Sequence, residues 1–255
     1  DWLKQDSSPF VLTILCSVTH DPYEPPPSFA PRRADPFIRY QDTIRYTDTF
    51  IEAVAQILEE LNLRRNTILC VVGDHGEAFG EHNAFAHDRL AYEEALRIVW
   101  VMNSPMLESV QVEMPVSLVD FLPTLLRAMH CRFNASDFDG QSVLKISDVN
   151  RKCFFSSWIA SGPAGYITGS KKIVLDPLSE MAFEFDLAGD PFERNPHLLE
   201  AETAGPIAEK IREWQNDTRF VSPRSKPGQI VLYDNWLVEY GLRTAGAKWI
   251  ENKSP

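Results

Sequence analysis

The stretch Thr67-Ile68-Leu69-Cys70-Val71-Val72-Gly73-Asp74-His75-Gly76-Glu77 decides the reading of this chain. Six β-prone, mostly apolar residues stop at a Gly-Asp-His-Gly turn. A carboxylate and an imidazole therefore stand side by side where a buried strand ends. In α/β folds, ligands and metals bind in the crevice beyond the carboxyl ends of the strands. Two further histidines, His82 and His87, follow in the same loop, and His20 ends another apolar run at residues 10–18. Four of the six histidines thus fall at strand ends or in the loop beyond one. That clustering points to an enzyme rather than a binding module.

Working outward, residues 10–18 are continuously apolar and read as a strand buried on both faces. Residues 22–36 are Pro-rich and read as loop. Residues 36–62 read as a helix, with Phe50, Val54, Ile57, Leu58 and Leu61 at three- and four-residue spacing. After the histidine loop come a short helix at 90–96, a strand at 97–102 and a helix at 117–129. The last of these carries Leu118, Phe121, Leu122, Leu125 and Leu126 on one face. This alternation predicts a doubly wound, mostly parallel α/β sheet.

Beyond residue 150 the texture changes. Short strands at 153–159, 165–168, 172–175 and 182–186 are separated by turns, so hairpins and a small antiparallel sheet are expected, followed by a helix at 206–216. From Ser222 no period is visible, and a tail that wraps the surface or is partly disordered is expected. The expected organisation is an α/β portion over 1–149, an antiparallel subdomain over 150–220 and a tail over 221–255.

Of the 255 residues, 44% are hydrophobic and 24% charged, which is ordinary globular composition. The formal net charge of −11 argues against a nucleic-acid partner, which would need Lys and Arg to neutralise phosphates. It permits a small anionic substrate, because one metal ion reverses the local potential. No stretch of about 20 apolar residues occurs, so no transmembrane helix is expected. The chain begins at Asp1-Trp2-Leu3 without an initiator Met or signal peptide, and is expected to be a piece of something longer. Cys16 and Cys70 fall in predicted core strands and read as buried thiols, while Cys131 and Cys153 could pair. Asn-X-Ser/Thr sequons at Asn134, Asn216 and Asn252 are a weak signal of secretion.

Asp74 and His75 suit a divalent metal, as a hard oxygen and a neutral nitrogen ligand. Alternatively, Asp74 caps the segment that follows and His75 is an ordinary polar residue. His20, before the Pro22 turn, is placed to meet an anionic oxygen or to transfer a proton, or else to bond its own loop. His82 and His87 are five apart, which matches neither helical ligation nor a zinc hairpin. His130 and His197 have no neighbours that suggest chemistry. Taken jointly, His20, Asp74, His75 and His87 have the placement expected of the rim of one active site.

The sequence resembles the sulfatase branch of the alkaline phosphatase superfamily. The resemblance rests on His20-Asp21-Pro22-Tyr23, Tyr46-Thr47-Asp48, Gly73 through His82, His87 ahead of Tyr92-Glu93-Glu94, and Arg97-Ile98. Asp120 through Leu125, Phe138-Asp139-Gly140-Gln141-Ser142 and Phe185 through Asn195 extend it. It implies an alkaline phosphatase-like fold, incomplete here, and hydrolysis of sulfate esters. Asp74 and His75 would ligate a divalent cation: calcium, magnesium, manganese or zinc. His20 and His87 would contact the non-bridging oxygens or protonate the leaving oxygen, with Glu93 and Arg97 bracing the loop. Departures are His87 where many relatives carry Lys, Val99 where Pro is usual, and Asp88 where Gly is common. The family nucleophile motif, Cys/Ser-X-Pro-X-Arg, does not occur. The expected partners are a small anionic ester and either a missing N-terminal half or a second copy of the chain. An extracytoplasmic location is favoured. Phosphoester hydrolysis, phosphoethanolamine or phosphoglycerol transfer, and a non-catalytic sulfatase-like module are the alternatives.

Overall fold

In the computed structural model, residues 4, 8–87, 91–146, 148, 150–157 and 162–217 are described. The chain divides into two compact units, residues 1–211 and 212–255, and the features below belong to the first, except the last six residues of the C-terminal helix, which begin the second.

Helix α1 (Pro36–Glu60) begins where Asp35 accepts a bond from the Phe37 N–H at 2.8 Å, with Pro36 pre-set at the first helical position. It ends in a Schellman turn. Asn62 takes a positive φ of 57°, its N–H bonds the Glu59 carbonyl, and the Leu63 N–H bonds the Leu58 carbonyl. The helical period expected at 36–62 is thus realised. Its apolar stripe is only partly covered: Leu58 is buried, but Ile44, Phe50 and Ile57 remain 46%, 41% and 47% exposed.

Strand β1 (Leu69–Val72) leads into the Gly-Asp-His-Gly turn. A small hairpin of β2 (Ala78–Phe79) and β3 (Phe85–Ala86) follows, then the one-turn helix α2 (Glu93–Leu96) and strand β4 (Trp100–Asn103). Two expectations need correction. First, β1 and β4 pair antiparallel, Leu69 opposite Asn103 and Val72 opposite Trp100, rather than parallel. An apolar run reports burial, not direction, and the long connection between these strands permits either. Second, residues 10–18 form no strand. Val11 and Leu15 are 81% and 85% exposed, and Cys16 is exposed rather than buried. A strand exists only through a ladder, and among the described residues none pairs with this segment.

Helix α3 (Phe121–Ala128) is entered through a tight turn over Leu118–Asp120, closed by a capping box between Ser117 and Asp120. The fully buried Asp120 also binds the Arg151 guanidinium through both oxygens at 2.9 Å, and accepts the Gln141 N–H. Gly140 is required there, since a Cβ would lie 2.1 Å from the Val119 carbonyl oxygen.

The C-terminal portion is the antiparallel meander the turns predicted. It comprises β5 (Cys153–Ser156), β6 (Ala164–Thr168), β7 (Lys171–Asp176), β8 (Met181–Asp186) and a short β9 (His197–Leu198), in that spatial order. Helix α4 (Ala201–Asp217) starts at Ala201 rather than at 206. Strand alternation sorts the two faces of the sheet. Ile173 and Leu175 pack with Ala208 and Ile211 of α4, whereas Val174 and Phe185 pack with Ala91 and Tyr92 beside α2. The sheet thus rests directly behind the segment that follows the histidine loop. All four cysteines are free, so Cys131 and Cys153 do not pair. The tail from Ser222 lies outside the described residues.

Candidate active site

The turn after β1 is suspended from the chain around α2. The Gly73 N–H bonds the Val99 carbonyl at 2.9 Å and the Gly76 N–H bonds the Ala95 carbonyl at 2.8 Å. Gly76 lies so close to α2 that a Cβ there would stand 2.1 Å from the Glu94 carbonyl oxygen. Asp74 and His75, between the two glycines, are left at the surface, their side chains 86% and 39% exposed.

Three imidazoles converge at this point. The His75 and His87 ring centroids are 3.9 Å apart, and those of His20 and His87 are 6.2 Å apart. Asp74 Oδ2 lies 3.7 Å from His75 Nε2. The four residues singled out from the sequence are therefore neighbours, although residues 20 and 87 are far apart in the chain.

Each of these rings has its Nδ1 committed to an acceptor. His20 Nδ1 donates to the Asp21 carbonyl at 2.9 Å, and His75 Nδ1 to the Gly76 carbonyl at 2.8 Å. His87 Nδ1 meets the Glu77 carboxylate at 2.9 Å. A carbonyl or an ionised carboxylate only accepts, so each Nδ1 carries the hydrogen and Nε2 is the acceptor nitrogen of the neutral ring.

Glu77 was not singled out by sequence reasoning. Its side chain is only 6% exposed and also accepts the Tyr23 hydroxyl at 2.7 Å. Burial alone would raise its pKa, but the bonds from His87 and Tyr23 outweigh this and hold it below the ordinary carboxylate value. Burial and the Glu77 bond push the Tyr23 phenol strongly up, so it remains a neutral donor. Tyr23 is itself fixed by the rings of Tyr40 and Phe79 at 5.6 and 5.5 Å. The available signal was a carboxylate three residues past Asp74, which alone does not reveal a long-range partner.

His82 stands apart from this cluster. It stacks on Tyr92 at 3.7 Å, with Nδ1 2.7 Å from Glu94 Oε1 and Nε2 3.3 Å from the Glu193 carbonyl. Both nitrogens face acceptors, which suits the imidazolium. Burial would lower its pKa, but Glu94 outweighs that and raises it. Behind it, the fully buried Lys172 ammonium lies 2.6 Å from Glu193 and 3.2 Å from Glu93, while the other Glu193 oxygen accepts the Glu93 N–H at 2.6 Å. This network joins β7 to the start of α2, so Glu93 braces the loop. Arg97 is exposed.

Asp74 and His75 fit a divalent cation as a pair of donors. Asp74 Oδ2 and His75 Nε2 lie 3.7 Å apart, and with the Nδ1 hydrogen on the Gly76 carbonyl a neutral His75 ring would present its Nε2 lone pair beside the carboxylate, where a shared positive charge would be favoured. Among the described residues no group of three or more His, Cys, Asp or Glu is arranged to hold a metal ion.

The chain is similar to known sulfatases and to a phosphonate monoester hydrolase. Arylsulfatase K of Canis lupus familiaris is 37% identical over 165 residues, which is 58% of this chain and 30% of that protein. The chain spans between 13% and 30% of the length of the curated relatives it matches. A solved 2-O GAG sulfatase superposes with a TM-score of 0.59 at 18% identity, over 71% of this chain and 42% of the other. Phosphonate monoester hydrolase SpPMH from Silicibacter pomeroyi superposes with a TM-score of 0.52 at 20% identity, over 78% and 46%. These structures share the alkaline phosphatase-like fold. With the family profile "Sulfatase" matching residues 1–131, the chain belongs to the sulfatase family.

Proposed function

We propose that this chain contributes part of the active site of a metal-dependent hydrolase of sulfate esters. The observation that carries the reading is the convergence of Asp74, His75, His87 and His20 beside the carboxyl end of β1. Asp74 and His75 would hold a divalent cation, which when bound would stabilise negative charge on the ester oxygens. His20 and His87 would meet the non-bridging oxygens or protonate the leaving oxygen from Nε2. Their Nδ1 bonds to the Asp21 carbonyl and Glu77 support this by fixing which nitrogen is presented.

The nucleophile would come from a segment outside these 255 residues, because no Cys/Ser-X-Pro-X-Arg motif occurs among them. The exposed apolar residues Val11, Leu15, Phe50 and Ile57 would be covered by that segment or by a second copy of the chain. A location outside the cytoplasm accords with the sequons.

The test is calorimetric titration of the chain with calcium, magnesium, manganese and zinc. Turnover of paired aryl sulfate and aryl phosphate esters is measured in a protein that also carries the nucleophile segment. Weak binding by the chain alone, tighter binding in the longer protein, and preference for the sulfate ester are expected. Normal turnover after Asp74→Ala would refute the metal assignment. Preference for the phosphate ester would move the reading to phosphoester hydrolysis.

A further inference from the structure

Glu77 connects three separate stretches of chain at the site. Its own loop follows β1. Its Oε1 meets His87 Nδ1 at 2.9 Å, and its Oε2 accepts the Tyr23 hydroxyl at 2.7 Å. The Tyr23 N–H in turn bonds the His20 carbonyl at 2.9 Å, so the turn that presents His20 is tied to the same carboxylate. Tyr23 is 5% exposed and takes a positive φ of 56°, a conformation a non-glycine residue holds only where its surroundings fix it. A carboxylate kept from water, satisfied on one oxygen by a buried phenol, has its other oxygen aimed at one ring nitrogen. Such a carboxylate selects a tautomer and an orientation.

We infer that Glu77, oriented by Tyr23, is the positioning residue of His87, holding it as the Nδ1–H tautomer with Nε2 turned away from Glu77. The inference rests on the sulfate-ester reading only for what His87 does, not for how it is held. His20 and His75 obtain the same tautomer from neighbouring backbone carbonyls. His87 alone among the three depends on a side chain distant in sequence, and so can be tested by substitution.

The experiment is long-range proton–nitrogen NMR of the histidine rings in the 255-residue chain, above the pH at which they protonate, with His87 assigned from the spectrum of His87→Gln. The wild-type His87 ring is expected to carry its proton on Nδ1. Glu77→Gln should preserve that state, because the amide carbonyl accepts the same bond. Glu77→Ala should lower the ratio of Nδ1–H to Nε2–H about tenfold or more, the factor a charge-assisted hydrogen bond supplies. Tyr23→Phe should lower it by less. A wild-type ring protonated on Nε2 would overturn the inference, and so would an unchanged ratio in a well-dispersed Glu77→Ala spectrum. Should Glu77→Ala fail to fold, the wild-type ring and Tyr23→Phe still decide. A parallel titration with inorganic sulfate separates the two readings. The expected tautomer without any response of Nε2 to sulfate supports the positioning role and counts against the sulfate contact alone.

Discussion

Replacing Lys172 with Met tests whether the C-terminal sheet holds the active-site segment through charge. The substitution keeps the length and the apolar stem but deletes an ammonium that has no solvent exposure. Its partner Glu193, 2.6 Å away, is equally inaccessible and would become an unpaired buried carboxylate. Removing one partner of such a pair costs about 3–5 kcal/mol. The loss should depend on pH. Burial already raises the Glu193 pKa, and Lys172 partly offsets this. Without Lys172 the folded value rises further. A raised carboxyl favours the fold fully below its ordinary value of 4.5, and that contribution is lost as pH rises through the folded value. The deficit of the mutant relative to wild type should therefore be small below the wild-type folded value and grow by up to about 1.4 kcal/mol per pH unit between the folded values of wild type and mutant. The assay is urea unfolding followed by circular dichroism from pH 5 to 8. Adding Glu193→Gln should recover most of the loss, because an amide needs no counter-ion. A deficit below about 1 kcal/mol at pH 8, or one independent of pH, would show that the pair is not what joins β7 to α2.

Three further outcomes are expected. Gly76→Ala forces a Cβ against the Glu94 carbonyl, so it should cost about 1–3 kcal/mol in thermal unfolding and weaken divalent-cation binding, although neither Asp74 nor His75 is altered. His82 has a folded pKa raised above 6.5, so the stability it confers is complete below 6.5 and is lost as pH rises through the folded value. Melting temperatures of wild type and His82→Gln should therefore converge at high pH, and a constant gap would contradict the assignment. Asp120→Ala orphans the Arg151 guanidinium and the Ser117 and Gln141 N–H groups, and should lower stability by about 3–5 kcal/mol in denaturant unfolding.

Local signals in the sequence determined much of this protein. The 3.6-residue period located α1, the close-spaced turns located the C-terminal meander, and the Gly-Asp-His-Gly turn located the metal candidates. These are properties of a residue and its near neighbours, so they can be read along the chain. Strand direction, strand existence and side-chain partnership are not local. β1 pairs antiparallel with β4, and residues 10–18 join no strand and are largely exposed, because a ladder needs a second segment that hydrophobicity does not specify. Only the folded chain brings Tyr23 and Glu77 to His87, or Lys172 to Glu93 and Glu193. Each contact spans a distance in sequence that no periodicity encodes, and a buried charge finds its partner only when the strands and loops have closed around it.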